Sequence, residues 1–211
     1  EVAAHYTPSS DDETKAEGLL KIDIGISVDG YIADVAFSLD LTKDDKFKDM
    51  IKLNEEALEN VLNGLKVGSV VSDVGRLIKE KVGDKYSVVR NLSGHSLGKD
   101  LIHAGLTISN YENENDTELK GAFAIEPFLT TGLGEIYEGK EGEIFRLEKE
   151  GQVRDKDARE ILKFIKENYN TKPFCKRWLE KQGFKKVDFC LKNMVGQGIL
   201  HNYPVLVEKG K

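Results

Sequence analysis

Only two cysteines occur in the 211 residues, Cys175 and Cys190, and they form neither a CxxC pair nor a zinc-ligand spacing. A disulfide framework is therefore excluded as the organising principle, and a reducing compartment fits best. A basic excess is also lacking. The formal charge is −6, whereas a surface that reads phosphates needs positive charge, so general nucleic-acid binding is excluded and only local basic patches are left open. No run of about 18 apolar residues occurs, nor a charged-then-apolar leader, so the sequence carries no signal for membrane spanning or secretion. Internal repeats and low-complexity segments are missing too. The first residue is Glu1 and not methionine, and the chain is expected to be part of a longer polypeptide. Its length allows one sizeable domain with its own core, or a domain plus a small appendage.

What is present begins with a polar, turn-forming opening, "HYTPSSDDETKAEG". Two period-2 runs then flank Asp29-Gly30, a strong signal for a two-residue hairpin turn, and predict strands at about 20–28 and 31–40. From Asp44 to Leu65, residues Phe47, Met50, Ile51, Leu58, Val61, Leu62 and Leu65 recur at helical spacing, with Gly68 beyond. Ser72 is positioned to cap a second helix with Val74, Leu77, Ile78 and Val82 inward. Two strand-like runs, "KYSVVRNLSG" and "AFAIEPFLT", bracket the polar loop "NYENENDTELKG". Beyond Gly151 the texture changes to three short helical patterns and a closing "YPVLVEKG" run. The alternation is that of an α+β chain with a separate helical insert.

The first hairpin carries a chemical anomaly. With Asp29 and Gly30 as the turn, Val28 faces Tyr31, and counting outward sets Asp23 opposite Ala36 and Asp34 opposite Gly25. The two acids then share one face as diagonal neighbours, roughly 7 to 8 Å apart between backbones. Like charges so placed call for a cation or a shared proton. Their own neighbours Gly25, Ser27 and Ala36 are small, leaving room above them for a divalent metal, which hard carboxylate oxygens bind well. The other face, with Ile22, Ile24, Ile26 and Val28 against Tyr31, Ala33, Val35 and Phe37, reads as a core surface. Two solvent-facing acids on a half-exposed sheet explain the hairpin about as well.

Other ionisable residues also sit in small or apolar frames. His95 lies between glycines in "NLSGHSLG", where a tight backbone would present an imidazole to a metal. Glu126 in "AFAIEPF" would need a partner if buried. His5 in "AAHYTP" and His103 in "LIHAG" complete the set. Singly, each histidine is better explained as a satisfied core residue, and Glu126 is open to reading as half of a buried salt bridge. Together, two aspartates, a histidine and a glutamate make the mixed oxygen and nitrogen set that holds a pair of divalent ions and activates water.

The segments "EVAAHYTPS", "LLKIDIGISVDGYIADVAFS", "NLSGHSLG", "IHAG", "AIEPF" and "KPFCKRWLEK", in this order, resemble the type 2 methionine aminopeptidases of archaea and eukaryotes. The resemblance spans nearly the whole chain and implies the pita-bread fold with a helical insertion. It divides the chain into a partial catalytic core at 1–150, an insertion subdomain at 151–205 and the start of a C-terminal strand region at 206–211. Residue by residue, it implies Asp23, Asp34, His95 and Glu126 as ligands of two divalent ions, of cobalt, manganese, iron or zinc type, with Asp34 bridging. Glu126 also transfers a proton, His5 and His103 contact the substrate and its tetrahedral intermediate, and Ile102 and Tyr203 line a methionine pocket. The implied activity is removal of the initiator methionine from nascent chains in the cytoplasm, by an enzyme that is monomeric when full length, touches the ribosome transiently and has no membrane partner.

One departure stands out. The family's fifth ligand, a glutamate, falls beyond Lys211, and Glu208 in "VLVEKGK" lacks its sequence context. The chain alone is thus expected to show little activity. Two alternatives stay open: an Xaa-Pro peptidase, against which the "AAHYTP" start and the helical insert argue, and a catalytically silent relative that binds protein or RNA, against which the four retained ligands argue. The basic residues Lys172, Lys176, Arg177, Lys181, Lys185 and Lys186 suit either RNA contact or a solvated helix face, and Glu180 and Asp188 among them favour the latter.

Overall fold

The computed structural model describes residues 2–209. In chain order the elements are β1 (Val2–Ala4), β2 (Leu19–Val28), β3 (Tyr31–Asp40), α1 (Lys48–Gly64), α2 (Val71–Val82), β4 (Ser87–Val88), β5 (Gly94–Leu97), β6 (Thr107–Ile108), β7 (Ala122–Ala124), β8 (Leu129–Thr130), β9 (Ile136–Glu138), β10 (Ile144–Leu147), α3 (Lys156–Asn168), β11 (Phe174–Cys175), α4 (Lys176–Lys181), α5 (Val187–Gly196), β12 (Leu200–Tyr203) and β13 (Leu206–Glu208). Among the described residues they form two compact units, Lys15–Ile136 with Glu208 and Lys209, and Val2–Thr14 with Tyr137–Val207.

In the first of these, β2 and β3 form a ten-residue antiparallel ladder in the expected register: Val28 faces Tyr31, Asp23 faces Ala36 and Asp34 faces Gly25. Asp29 and Gly30 both take positive φ, 54° and 85°, the backbone that lets a two-residue turn follow the strand twist. Helices α1 and α2 pack through Ala57, Val61, Val74, Leu77, Ile78 and Val82, together with Ile108 of β6. Burial of this apolar stripe, more than helix propensity, is what stabilises such a pair. The β6-β5-β7 sheet and the β4-β8 pair complete the unit.

The structure corrects several expectations. The apolar hairpin face is no core surface along most of its length: Ile26 is 59% exposed, Val28 67% and Tyr31 71%, with Ile24, Val35 and Phe37 also exposed. Alternation decides which residues share a face, not what covers it. Leu62 likewise points outward from α1. Ser72 does not cap α2. The cap is Val70, whose backbone N–H donates to Asp73 Oδ2 at 3.0 Å, so an acid inside the first turn does the capping work. The two long strand-like runs shrink to short pieces, and Glu126 and Pro127 fall in the break between β7 and β8, where proline removes a ladder donor.

The other unit packs α3, α4 and α5 against the β11-β10-β12 sheet, around Phe145, Ile161, Ile165, Phe174, Leu179, Leu191, Met194 and Leu200. Asp155 caps α3, its carboxylate accepting from the Ala158 N–H at 2.9 Å. Strand β1 pairs with β13. Both cysteines are buried free thiols. Much of the basic cluster is engaged within the unit: Lys176 with Glu143 and Asp188, Lys186 with Asp157, and Arg177 with Thr7 Oγ1 and the Pro8 carbonyl. Among the described residues no helix is long and apolar enough to cross a membrane.

Candidate metal centre

Strand pairing brings distant residues to one point. His95 of β5 lies opposite Ala124 of β7, two residues before Glu126, so the ladder itself delivers imidazole and carboxylate to the same edge. The close approach of these strands requires Gly94, because a Cβ there would meet the Ala124 carbonyl oxygen at 2.3 Å. The hairpin supplies the third group from β3. His95 Nε2 stands 2.9 Å from Glu126 Oε1 and 3.5 Å from Asp34 Oδ2. One ligand atom from each of Asp34, His95 and Glu126 lies within 4.8 Å of the others, so that small side-chain adjustments bring all three onto one divalent ion, whose bonds of about 2.0 to 2.2 Å span at most about 4.4 Å.

The electrostatics show what the cluster lacks. Burial raises the Asp34 carboxyl to about 6, with further contributions from Glu126 and Asp23, while His95 acts in the opposite sense. Burial alone would lower His95, but the neighbouring Glu126 and Asp34 outweigh it and hold the imidazole above its ordinary value. The site thus offers three acids to one titratable base. His95 Nδ1 is buried without a hydrogen-bond partner among the described residues, and Glu126 Oε1 is buried against His95 Nε2. Orphaned buried donors and acceptors of this kind call for an ion or water to satisfy them. The donor set, two carboxylates and an imidazole, suits manganese, iron, cobalt or zinc, and the residues therefore fit a metal.

Other expected residues lie as follows. Asp23 is exposed on the same hairpin face as Asp34 and sits outside the three-residue group. His103 packs edge-on against His95, ring centroids 4.4 Å apart, and both line a cleft of about 290 Å³ with Asn91, Ser93 and Thr107. Ile102 is half-buried next to it in sequence. His5 and Tyr203 belong to the other unit. There the His5 Nδ1–H donates to the Pro204 carbonyl at 3.2 Å, and its ring meets Tyr203 edge-on at 5.2 Å. His5 takes a positive φ of 61°, which costs a β-carbon residue conformational energy. Glu208 is 6% exposed and accepts the Thr130 hydroxyl.

Two carboxylates and a histidine, set where short strands converge on an acid-bearing hairpin, form a metal-competent cluster of the kind that metal-dependent hydrolases use. Residues 1–155 match metallopeptidase family M24, and the chain belongs to that family, with its pita-bread fold. Within it, the chain is homologous to methionine aminopeptidases. A relative so named from Archaeoglobus fulgidus is 41% identical over 98% of this chain and 70% of its own length. One named methionine aminopeptidase 2, from Clavispora lusitaniae, is 34% identical over 98% of this chain and 51% of its own length. Among solved structures, that of a thermophilic Arx1 superposes with a TM-score of 0.76 over 97% of this chain and 65% of its own; at 17% identity it speaks for the fold alone.

Two residues that hold the backbone at Glu126-Pro127 escaped the sequence reading: Asn54, which donates to the Pro127 carbonyl, and Asn110, which donates to the Glu126 carbonyl. Neither stood out, because a buried asparagine and a loop asparagine look alike in sequence.

Proposed function

We propose that the chain carries the metal-dependent centre of an aminopeptidase that removes the initiator methionine from nascent polypeptides in the cytoplasm. The observation that supports this reading best is the convergence of Asp34, His95 and Glu126 within 4.8 Å in a chain homologous to methionine aminopeptidases. These three residues hold one divalent ion; Asp23, with Asp34, contributes to a second. A bound ion supplies Lewis-acid polarisation of the scissile carbonyl and a lowered pKa for water. Glu126 accepts the proton of the attacking water and returns it to the leaving amine. His103, beside His95, contacts the substrate across the cleft. Ile102 provides apolar contact for the methionine side chain.

The test is release of methionine from short Met-Ala peptides by chelated protein reconstituted with cobalt, manganese, iron or zinc, on this chain and on any longer polypeptide containing it. Glu126→Gln is expected to lower kcat by 100-fold or more, on the order of the usual general-base contribution. Bound metal without methionine release in every one of these preparations overturns the reading.

A further inference from the structure

We propose that Asn110 is a positioning residue for the metal centre, one side chain that ties together the two segments carrying His95 and Glu126. The proposal rests on the metal reading above. Its starting point is the break at Glu126-Pro127. This dipeptide lies between β7 and β8, so its carbonyls fall outside the ladders, and a buried backbone carbonyl needs a partner from somewhere.

Two asparagine amides supply that partner. Asn110 Nδ2 donates to the Glu126 carbonyl at 2.6 Å and also to the Leu92 carbonyl at 3.1 Å. Asn54 Nδ2, from α1, donates to the Pro127 carbonyl at 2.8 Å. Leu92 lies three residues before His95, so both N–H bonds of a single amide are used, one on each ligand-bearing segment. The orientation of the Asn110 amide follows from its partners, since two carbonyl oxygens can be met only by the NH₂ end.

Two further features separate this residue from an ordinary loop asparagine. Asn110 is 1% exposed, although it opens a stretch that is otherwise polar loop. Its Oδ1 is buried without a hydrogen-bond partner among the described residues, a cost that the two bonds made by Nδ2 offset. Apolar substitution would remove that cost but release both carbonyls. Metal sites tolerate ligand displacements of only a few tenths of an ångström, and residues that hold ligands in place typically contribute 10- to 100-fold in metal affinity. Asn110 touches no ligand atom; it acts through the backbone.

The experiment is a cobalt(II) titration of the chelated chain, followed by calorimetry and by visible absorption, on wild type, Asn110→Ala, Asn54→Ala and Asn60→Ala, with thermal melts of each. Asn60 is the control: its Nδ2 donates to the Leu77 carbonyl at 2.8 Å, joining α1 to α2 away from both ligand segments. Asn110→Ala is expected to lower cobalt affinity about 10- to 100-fold and to alter the shape of the cobalt absorption band. Asn54→Ala should show a smaller loss in the same direction. Asn60→Ala should lower the melting temperature yet keep affinity within about twofold of wild type. Should Asn110→Ala fail to fold, Asn54→Ala decides in its place: weakened cobalt binding supports the proposal and unchanged binding overturns it. Wild-type affinity and spectrum in a folded Asn110→Ala, or an equal loss in Asn60→Ala, overturns the proposal while leaving the metal reading intact. A wild-type chain that binds no cobalt overturns both.

Discussion

Each compact unit gathers a group of carboxylates around a partly buried nitrogen base, and the two groups differ in the kind of cation that base supplies. Around Lys176, 13% exposed in its side chain, stand Glu143 at 2.9 Å, Asp188 at 3.0 Å and Glu180 at 3.9 Å. Burial alone would lower the lysine pKa, but its contacts to Glu143 and Asp188 outweigh that and push it up. The ammonium is permanent and belongs to the chain. Around His95 stand Asp34 and Glu126, with Asp23 adding to the negative field. Here the base is an imidazole, whose charge depends on a proton. The first cluster carries a fixed cation that offsets part of its negative charge; the second has only a titratable base and leaves its charge balance to whatever cation arrives. That contrast explains why acids near a base are a poor predictor of function until the base is known.

The comparison can be broken most sharply at the ligands. Asp34→Asn should reduce divalent-ion affinity by about 100-fold or more, as expected for loss of a charged oxygen ligand from a three-residue set, while Lys176→Met should leave affinity within about twofold. Isothermal titration with cobalt on both variants checks this. Equal losses would mean that the two clusters are not independent.

The converse holds for stability. Lys176→Met leaves Glu143 and its neighbours without their cation and should destabilise the chain by about 2 kcal/mol, less than a fully buried pair because Asp188 is largely exposed. Urea unfolding measures it. Lys176→Met combined with Glu143→Gln should recover a large part of the loss, and failure to recover would assign the effect to packing of the lysine stem instead.

A third effect is in the pH dependence of the metal-free chain. Asp34 titrates near 6 when folded against an ordinary value of 3.8, so its stabilising contribution is full below about pH 4 and is lost as pH rises through 6. His95, raised above 6.5, follows the same sign: its contribution is full below 6.5 and fades as pH climbs through its folded value. The stability difference between wild type and Asp34→Asn should therefore fall from pH 4 to 6. Saturating cobalt should reverse the slope, because ions bind the deprotonated ligands. Melts at stepped pH, with and without cobalt, show whether the cluster behaves as an unbalanced acid group.

Local features were legible where local chemistry decides them. Asp29-Gly30 dictated the turn, the turn dictated the register, and the register put Asp23 and Asp34 on one face. The helices followed from apolar spacing, with ends shifted by a few residues and the α2 cap moved from Ser72 to Val70 and Asp73. Illegible were the outcomes that depend on what lies across space. The apolar hairpin face was misread as core because its periodicity says nothing of a covering partner. The run around Glu126 looked like one strand, although Pro127 was a visible warning of its break.

By itself, then, the sequence determined the inventory: which ionisable residues stand in small or apolar frames, the face each occupies on its own element, and the family to which their order is similar. Turns, caps and alternation act over a few residues, so spacing suffices to read them. Only the tertiary structure decided that Asp34, His95 and Glu126, separated by up to 92 positions, meet within 4.8 Å, and that Asn54 and Asn110 hold the carbonyls beside one of them. Those meetings follow from strand pairing and core packing between distant segments, interactions whose energy depends on distances no local pattern encodes.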